Sequence, residues 1–128
     1  MRRIHIISVM LLTLPMLSGC ISKEVKLDVS DNGNQIKLNK GQMLVITLEA
    51  NPTTGYTWEI EQLNASIMRQ VGKIEFQPES VAIGAGGVQT LRLEPVNAGE
   101  TPLKLVYHRP WETDVEPLKT FSLQVFVQ

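Results

Sequence analysis

The sequence predicts an all-β fold, an immunoglobulin-like antiparallel β-sandwich of about six to eight short strands, and three observations carry that prediction. Apolar residues recur with a period of two in short runs. Gly, Pro, Asn and Asp separate those runs, and nothing reads as a long helix. The Cys and Trp pattern of true antibody domains is absent, so the likeness is one of architecture alone.

Taken in order, Val25, Leu27 and Val29 alternate up to the turn Asp31-Asn32-Gly33-Asn34. Residues 42–49 form an apolar run suited to a strand covered on both sides. Tyr56, Trp58 and Ile60 alternate with Thr57, Glu59 and Glu61, which directs Trp58 into the core. Across residues 63–73 the pattern is ambiguous: Leu63, Ile67 and Val71 fit a helix, Met68 and Ile74 do not settle it, and a further strand is preferred. The period of two returns in Leu91 and Leu93, in Leu103, Leu105 and Tyr107, and in Phe121, Leu123, Val125 and Val127. No repeat, low-complexity segment or second domain boundary interrupts the series.

Composition restricts function. With 128 residues, 43% hydrophobic and 20% charged, the chain has ordinary globular balance for one small domain. Its 12 basic residues against 13 acidic ones leave no excess to neutralise phosphates, so nucleic acid is excluded as a partner.

The first residues read as an export address. Arg2 and Arg3 precede an apolar run over residues 4–14, shorter than the roughly 20 residues a membrane-spanning helix needs, and Pro15 follows. Leu17-Ser18-Gly19-Cys20 resembles the bacterial lipobox, in which the Cys thiol is joined to diacylglycerol before the signal is removed ahead of it. An unmodified Cys20 ending an ordinary signal is the alternative, disfavoured by its position. The expected organisation is a signal peptide at 1–19, a lipid-anchored tether at 20–23 and a folded domain at 24–128. Loss of Arg2 and Arg3 would leave 10 basic against 13 acidic residues, a net charge of −3. Cys20 is the one cysteine, so no intrachain disulfide supports the core. By likeness to bacterial lipoproteins, Ile21 in place of Asp directs the chain to the outer membrane of the cell envelope.

Three loops hold the chemical information. Asn51-Pro52-Thr53-Thr54-Gly55-Tyr56 is longer than a tight hairpin needs. Pro52 restricts Asn51 to extended geometry and Gly55 allows a positive φ, so the segment is either a plain turn-rich loop or a stiff tip presenting Thr53 and Thr54. Gly84-Ala85-Gly86-Gly87 offers backbone with almost no side-chain surface, as a flexible hairpin tip or as a strip that another protein can approach closely. It lacks the lysine, hydroxyl and following helix of a phosphate-binding loop. Arg109-Pro110-Trp111 puts the two residue types most enriched at binding hot spots into a polar loop, where Trp111 either caps the core or anchors a partner.

Together these segments resemble the chagasin family of cysteine-peptidase inhibitors, whose motifs are an Asn-Pro-Thr-Thr-Gly-aromatic loop, a Gly-x-Gly-Gly loop and an Arg-Pro-Trp loop in that order. All three stand in this chain, with Tyr56 where Phe is frequent. The likeness extends over residues 24–128, while the lipobox departs from the protozoan members. It implies a monomeric, reversible inhibitor whose loops gather at one end of the sandwich and occlude the cleft of a papain-like cysteine peptidase. On that reading Thr53 and Thr54 lie over the catalytic Cys–His pair, residues 84–87 along the nonprimed side, and Arg109 with Trp111 on the primed side. No cofactor or metal is implied.

An enzyme is disfavoured by the residues themselves, since the mature chain offers His108 as its one imidazole and no thiol beyond Cys20. Glu59, Glu61, Glu112, Asp114 and Glu116 are explained by strand alternation and loop solvation without a metal or paired-carboxylate role. The remaining alternative is a lipid-anchored envelope module with the same fold and no peptidase target.

Overall fold

The longer strands form where apolar residues alternate, and the computed structural model describes residues 23–128. The signal segment and Cys20 lie outside the described residues. Among the described residues there are nine strands: β1 Glu24–Leu27, β2 Gln35–Leu38, β3 Met43–Ala50, β4 Thr57–Leu63, β5 Met68–Gln70, β6 Glu75–Pro78, β7 Gly87–Pro95, β8 Gly99–His108 and β9 Lys119–Val127. They form two sheets, one in the order β1-β3-β7-β5 with β6 also on β7, the other in the order β2-β9-β8-β4.

Antiparallel pairs dominate both sheets, as in β3 with β7 and in β8 with both β9 and β4. Each sheet also gains one parallel edge strand: β1 beside β3 with Glu24 opposite Met43, and β2 beside β9 with Gln35 opposite Gln124. A 3-10 turn over Val29–Asp31 carries the chain between those edges. Asp28 caps it, accepting hydrogen bonds from the hydroxyl and amide of Ser30, which hold its carboxyl below the ordinary value. This cap ends the expected alternation before Val29, which is 69% exposed.

The core is the sum of the inward halves of the strands. Leu44, Ile46, Leu48, Leu91 and Leu93 from one sheet meet Leu103, Leu105, Tyr107, Phe121, Leu123 and Val125 from the other. Truncating any one of the fully buried leucines costs about 2–5 kcal/mol in lost transfer energy and cavity. The ambiguous region resolves into the end of β4 at Leu63, a turn, and the short strand β5, whose Met68 is fully buried.

Strand direction divides the sandwich into two poles. The links β3–β4, β6–β7 and β8–β9 lie at one end; β2–β3, β4–β5 and β7–β8 lie at the other. All three segments singled out in the sequence fall at the first end.

Candidate peptidase-binding loops

The loop after β3 is rigid for reasons legible in its residues. Asn51 (φ −135°, ψ 85°) caps a 3-10 turn over Pro52–Thr54, and Gly55 closes it in the left-handed region at φ 87°. The Thr54 amide and hydroxyl both donate to the Asn51 carbonyl, at 3.1 and 2.6 Å. Asn51 Oδ1 accepts from the amide and hydroxyl of Thr53. Both threonine side chains nevertheless face solvent, since these bonds are made on the outer surface of the turn.

Contacts from both neighbouring loops fix this turn in place. Asn51 Nδ2 donates to the Gly84 carbonyl at 3.2 Å, tying it to the glycine loop. From the other side Arg109 Nε donates to the Thr54 carbonyl at 3.0 Å, and its guanidinium lies 4.5 Å above the centre of the Tyr56 ring. Arg109 Nη1 is paired with Glu112 Oε1 at 3.1 Å. The Trp111 ring covers Gly55, where a Cβ would stand 2.9 Å from Cζ2 and nearer still to Cη2. Gly55 therefore answers two demands at once, a positive φ and room for an indole.

Beneath the tip, an aromatic stack joins the loops to the core. Tyr56 stacks on Tyr107 with centroids 5.3 Å apart, and Tyr107 leans on Trp58 at 5.1 Å. The Tyr107 hydroxyl accepts from the Asn51 amide at 2.8 Å. Trp58 Nε1 donates to the Glu49 carbonyl at 3.0 Å, while buried Gln89 accepts from the Trp58 amide and donates to Thr57 Oγ1, both at 2.9 Å. These bonds cross from one sheet to the other at the loop end. Tyr107 and Gln89 thus support the site although strand alternation marks them only as strand residues; a polar Gln at an inward position of β7 is the signal that could have found the second.

The glycine loop is the tip of the β6–β7 hairpin, eight residues between Pro78 and Gly87. The Ala85 amide donates to the Ala82 carbonyl at 3.2 Å around Gly84 at φ 78°, a turn whose third residue must be left-handed. Its glycines have different reasons. A Cβ on Gly87 would collide with the Gln77 carbonyl and stand 2.8 Å from Pro78 Cα, whereas at Gly86 the nearest atom would be the Ala50 carbonyl oxygen at 3.6 Å. Gly86 is thus free to carry a side chain within this chain. Val81 and Ile83, which no alternation in the sequence marks as a site, are 105% and 106% exposed on this tip.

Trp111 is 67% exposed, so it does not cap the core. Arg109 is half-buried with Nε and Nη1 bonded inside the molecule, and Pro110 is exposed between the two. His108 sits at the end of β8 with Nε2 2.9 Å from Glu59 Oε2. Among the described residues no group of three or more His, Cys, Asp or Glu is arranged to hold a metal.

The chagasin family peptidase inhibitor I42 matches residues 37–125. Amoebiasin-2 of Entamoeba histolytica is 31% identical over 94 residues, covering 73% of this chain and 76% of that protein. Chagasin of Trypanosoma cruzi is 33% identical over 91 residues, covering 67% and 82%. Among solved structures, the crystal structure of a cysteine protease inhibitor from Entamoeba histolytica superposes with a TM-score of 0.73 at 27% identity, covering 82% of this chain and 96% of that one. The inhibitor structure from Leishmania mexicana gives 0.60 at 32% identity, covering 80% and 94%. This chain belongs to the chagasin family of peptidase inhibitors, whose members inhibit proteases and are not enzymes.

Proposed function

We propose that the three loops act together as a wedge that reversibly occludes the cleft of a papain-like cysteine peptidase. One observation carries this reading: segments far apart in sequence are fastened to one another at one pole, through Asn51 to Gly84 and Arg109 to Thr54, while Thr53, Thr54 and Trp111 remain exposed. A preorganised tip loses little entropy on docking. Thr53 and Thr54 lie over the catalytic Cys–His pair, residues 84–87 run along the nonprimed side, and Trp111 packs on the primed side with Arg109 holding the loop behind it. Asn51, Pro52, Gly55 and Tyr56 set the shape of the tip; Pro110 directs the Arg-Pro-Trp loop. The cysteine-peptidase target class is supported by the related inhibitor from Entamoeba histolytica, described as a cysteine protease inhibitor.

The mature chain begins at an acylated Cys20 and is held by that lipid at the bacterial outer membrane, as a monomer, with residues 20–23 as tether and 24–128 as the inhibitor domain. Leu17-Ser18-Gly19-Cys20 supports this part. Titration of papain with the purified protein tests the wedge. Tight, reversible, competitive loss of activity is expected; hydrolysis by the chain itself, or no effect on papain and related peptidases, would overturn it.

A further inference from the structure

We propose that the pole opposite the three loops is a membrane-facing surface, so that the anchored inhibitor presents its wedge away from a lipid bilayer toward peptidases arriving from solution. The inference rests on the acylation of Cys20 proposed above and adds the orientation, which comes from strand direction. β1 pairs parallel to β3, with Glu24 opposite Met43, and the Met43 amide donates to the Lys23 carbonyl. The described chain therefore begins beside the start of β3, whereas the Asn51 turn follows its end. An antiparallel first strand would have delivered the tether to the wedge itself.

The distances make the polarity effective. β3 has eight residues, about 23 Å between its ends at ~3.3 Å per step. The residues between Cys20 and β1 are Ile21, Ser22 and Lys23, four steps from Cys20 to Glu24 that reach at most about 14 Å when extended. A tether shorter than the domain is long cannot place a whole peptidase between the loops and the bilayer. Charge leans the same way: at the loop pole Glu79, Glu112, Asp114 and Glu116 outnumber Arg109 and Lys119, while at the other Lys23 and Lys40 balance Glu24 and Glu100. An anionic headgroup layer repels the first set and attracts the lysines.

The test uses the full lipidated chain reconstituted in vesicles of phosphatidylethanolamine and phosphatidylglycerol carrying an acceptor dye on the headgroup. With the Cys20 thiol acylated, Lys40→Cys and Glu116→Cys each supply one labelling site, at the base and the loop pole respectively. Energy transfer to the bilayer should be at least about threefold stronger from the Lys40 position, given a separation of roughly one domain length. Equal transfer, or stronger transfer from the Glu116 position, overturns the orientation while the lipid anchor stands. A chain that does not associate with vesicles overturns the acylation reading and this inference with it. Papain should be inhibited equally, within about threefold, by vesicle-bound and detergent-solubilised chain; a loss beyond about tenfold on reconstitution contradicts an outward wedge.

Discussion

Trp58 is 5% exposed and Trp111 is 67% exposed, and the contrast separates folding from binding. Trp58→Ala should cost about 3–5 kcal/mol of stability through the cavity beside Tyr107, read in a denaturant titration. Trp111→Ala should leave the melting transition nearly unchanged and weaken papain inhibition by about 2–4 kcal/mol, roughly 30- to 1000-fold. Gly86→Val gives an independent test. A Cβ at Gly86 meets only ordinary contacts inside this chain, so a folded variant with impaired inhibition would locate the clash in the complex; full inhibition would remove the glycine loop from the interface. Trp58 was legible in the sequence because alternation with Tyr56 and Ile60 fixes its face. Trp111 was not, since a loop residue has no period and core cap or free anchor differ only in tertiary placement.

At the scale of elements, the loops behave as one unit because Arg109 spans the gap between two of them. Its planar guanidinium bonds the Thr54 carbonyl, pairs with Glu112 and lies over Tyr56 all at once. Arg109→Lys keeps the charge but cannot make the three contacts together, so binding to papain should fall by about tenfold through a looser tip, with little change in thermal stability. Unchanged affinity would show that the brace is dispensable. The strong strands were readable from alternation, but β2 and β6 escaped it. The first has four residues with one buried, and the second has none buried, so neither shows an apolar stripe. Periodicity is likewise blind to strand direction, which is why the parallel placement of β1 and β2 needed coordinates. Val81 and Ile83 look like a short apolar run in sequence and stand exposed on a hairpin tip because turn geometry, not burial, shapes residues 79–86.

For the whole molecule, the proposed lipid at one end and the proposed wedge at the other are open to separate tests. Mass spectrometry of protein from its native producer should find the mature chain beginning at a diacylated or triacylated Cys20, and Cys20→Ala should abolish membrane fractionation while sparing inhibition by the purified chain. An unmodified terminus elsewhere would sink the anchor and leave the wedge intact. The proposed wedge has no covalent chemistry to offer: with Cys20 acylated the chain presents no thiol, and its carbonyls are ordinary amides and carboxylates. Affinity must come from burial, for which about 800 Å² per partner is usual among protease inhibitors. The most direct measurement is calorimetric binding to papain whose catalytic cysteine is replaced by alanine. Retained tight binding, with the inhibitor recovered uncleaved and competing with substrate for the native enzyme, is the predicted result. An absolute requirement for the active-site sulfur, or cleavage between Thr53 and Gly55 in step with inhibition, would contradict an occluding wedge.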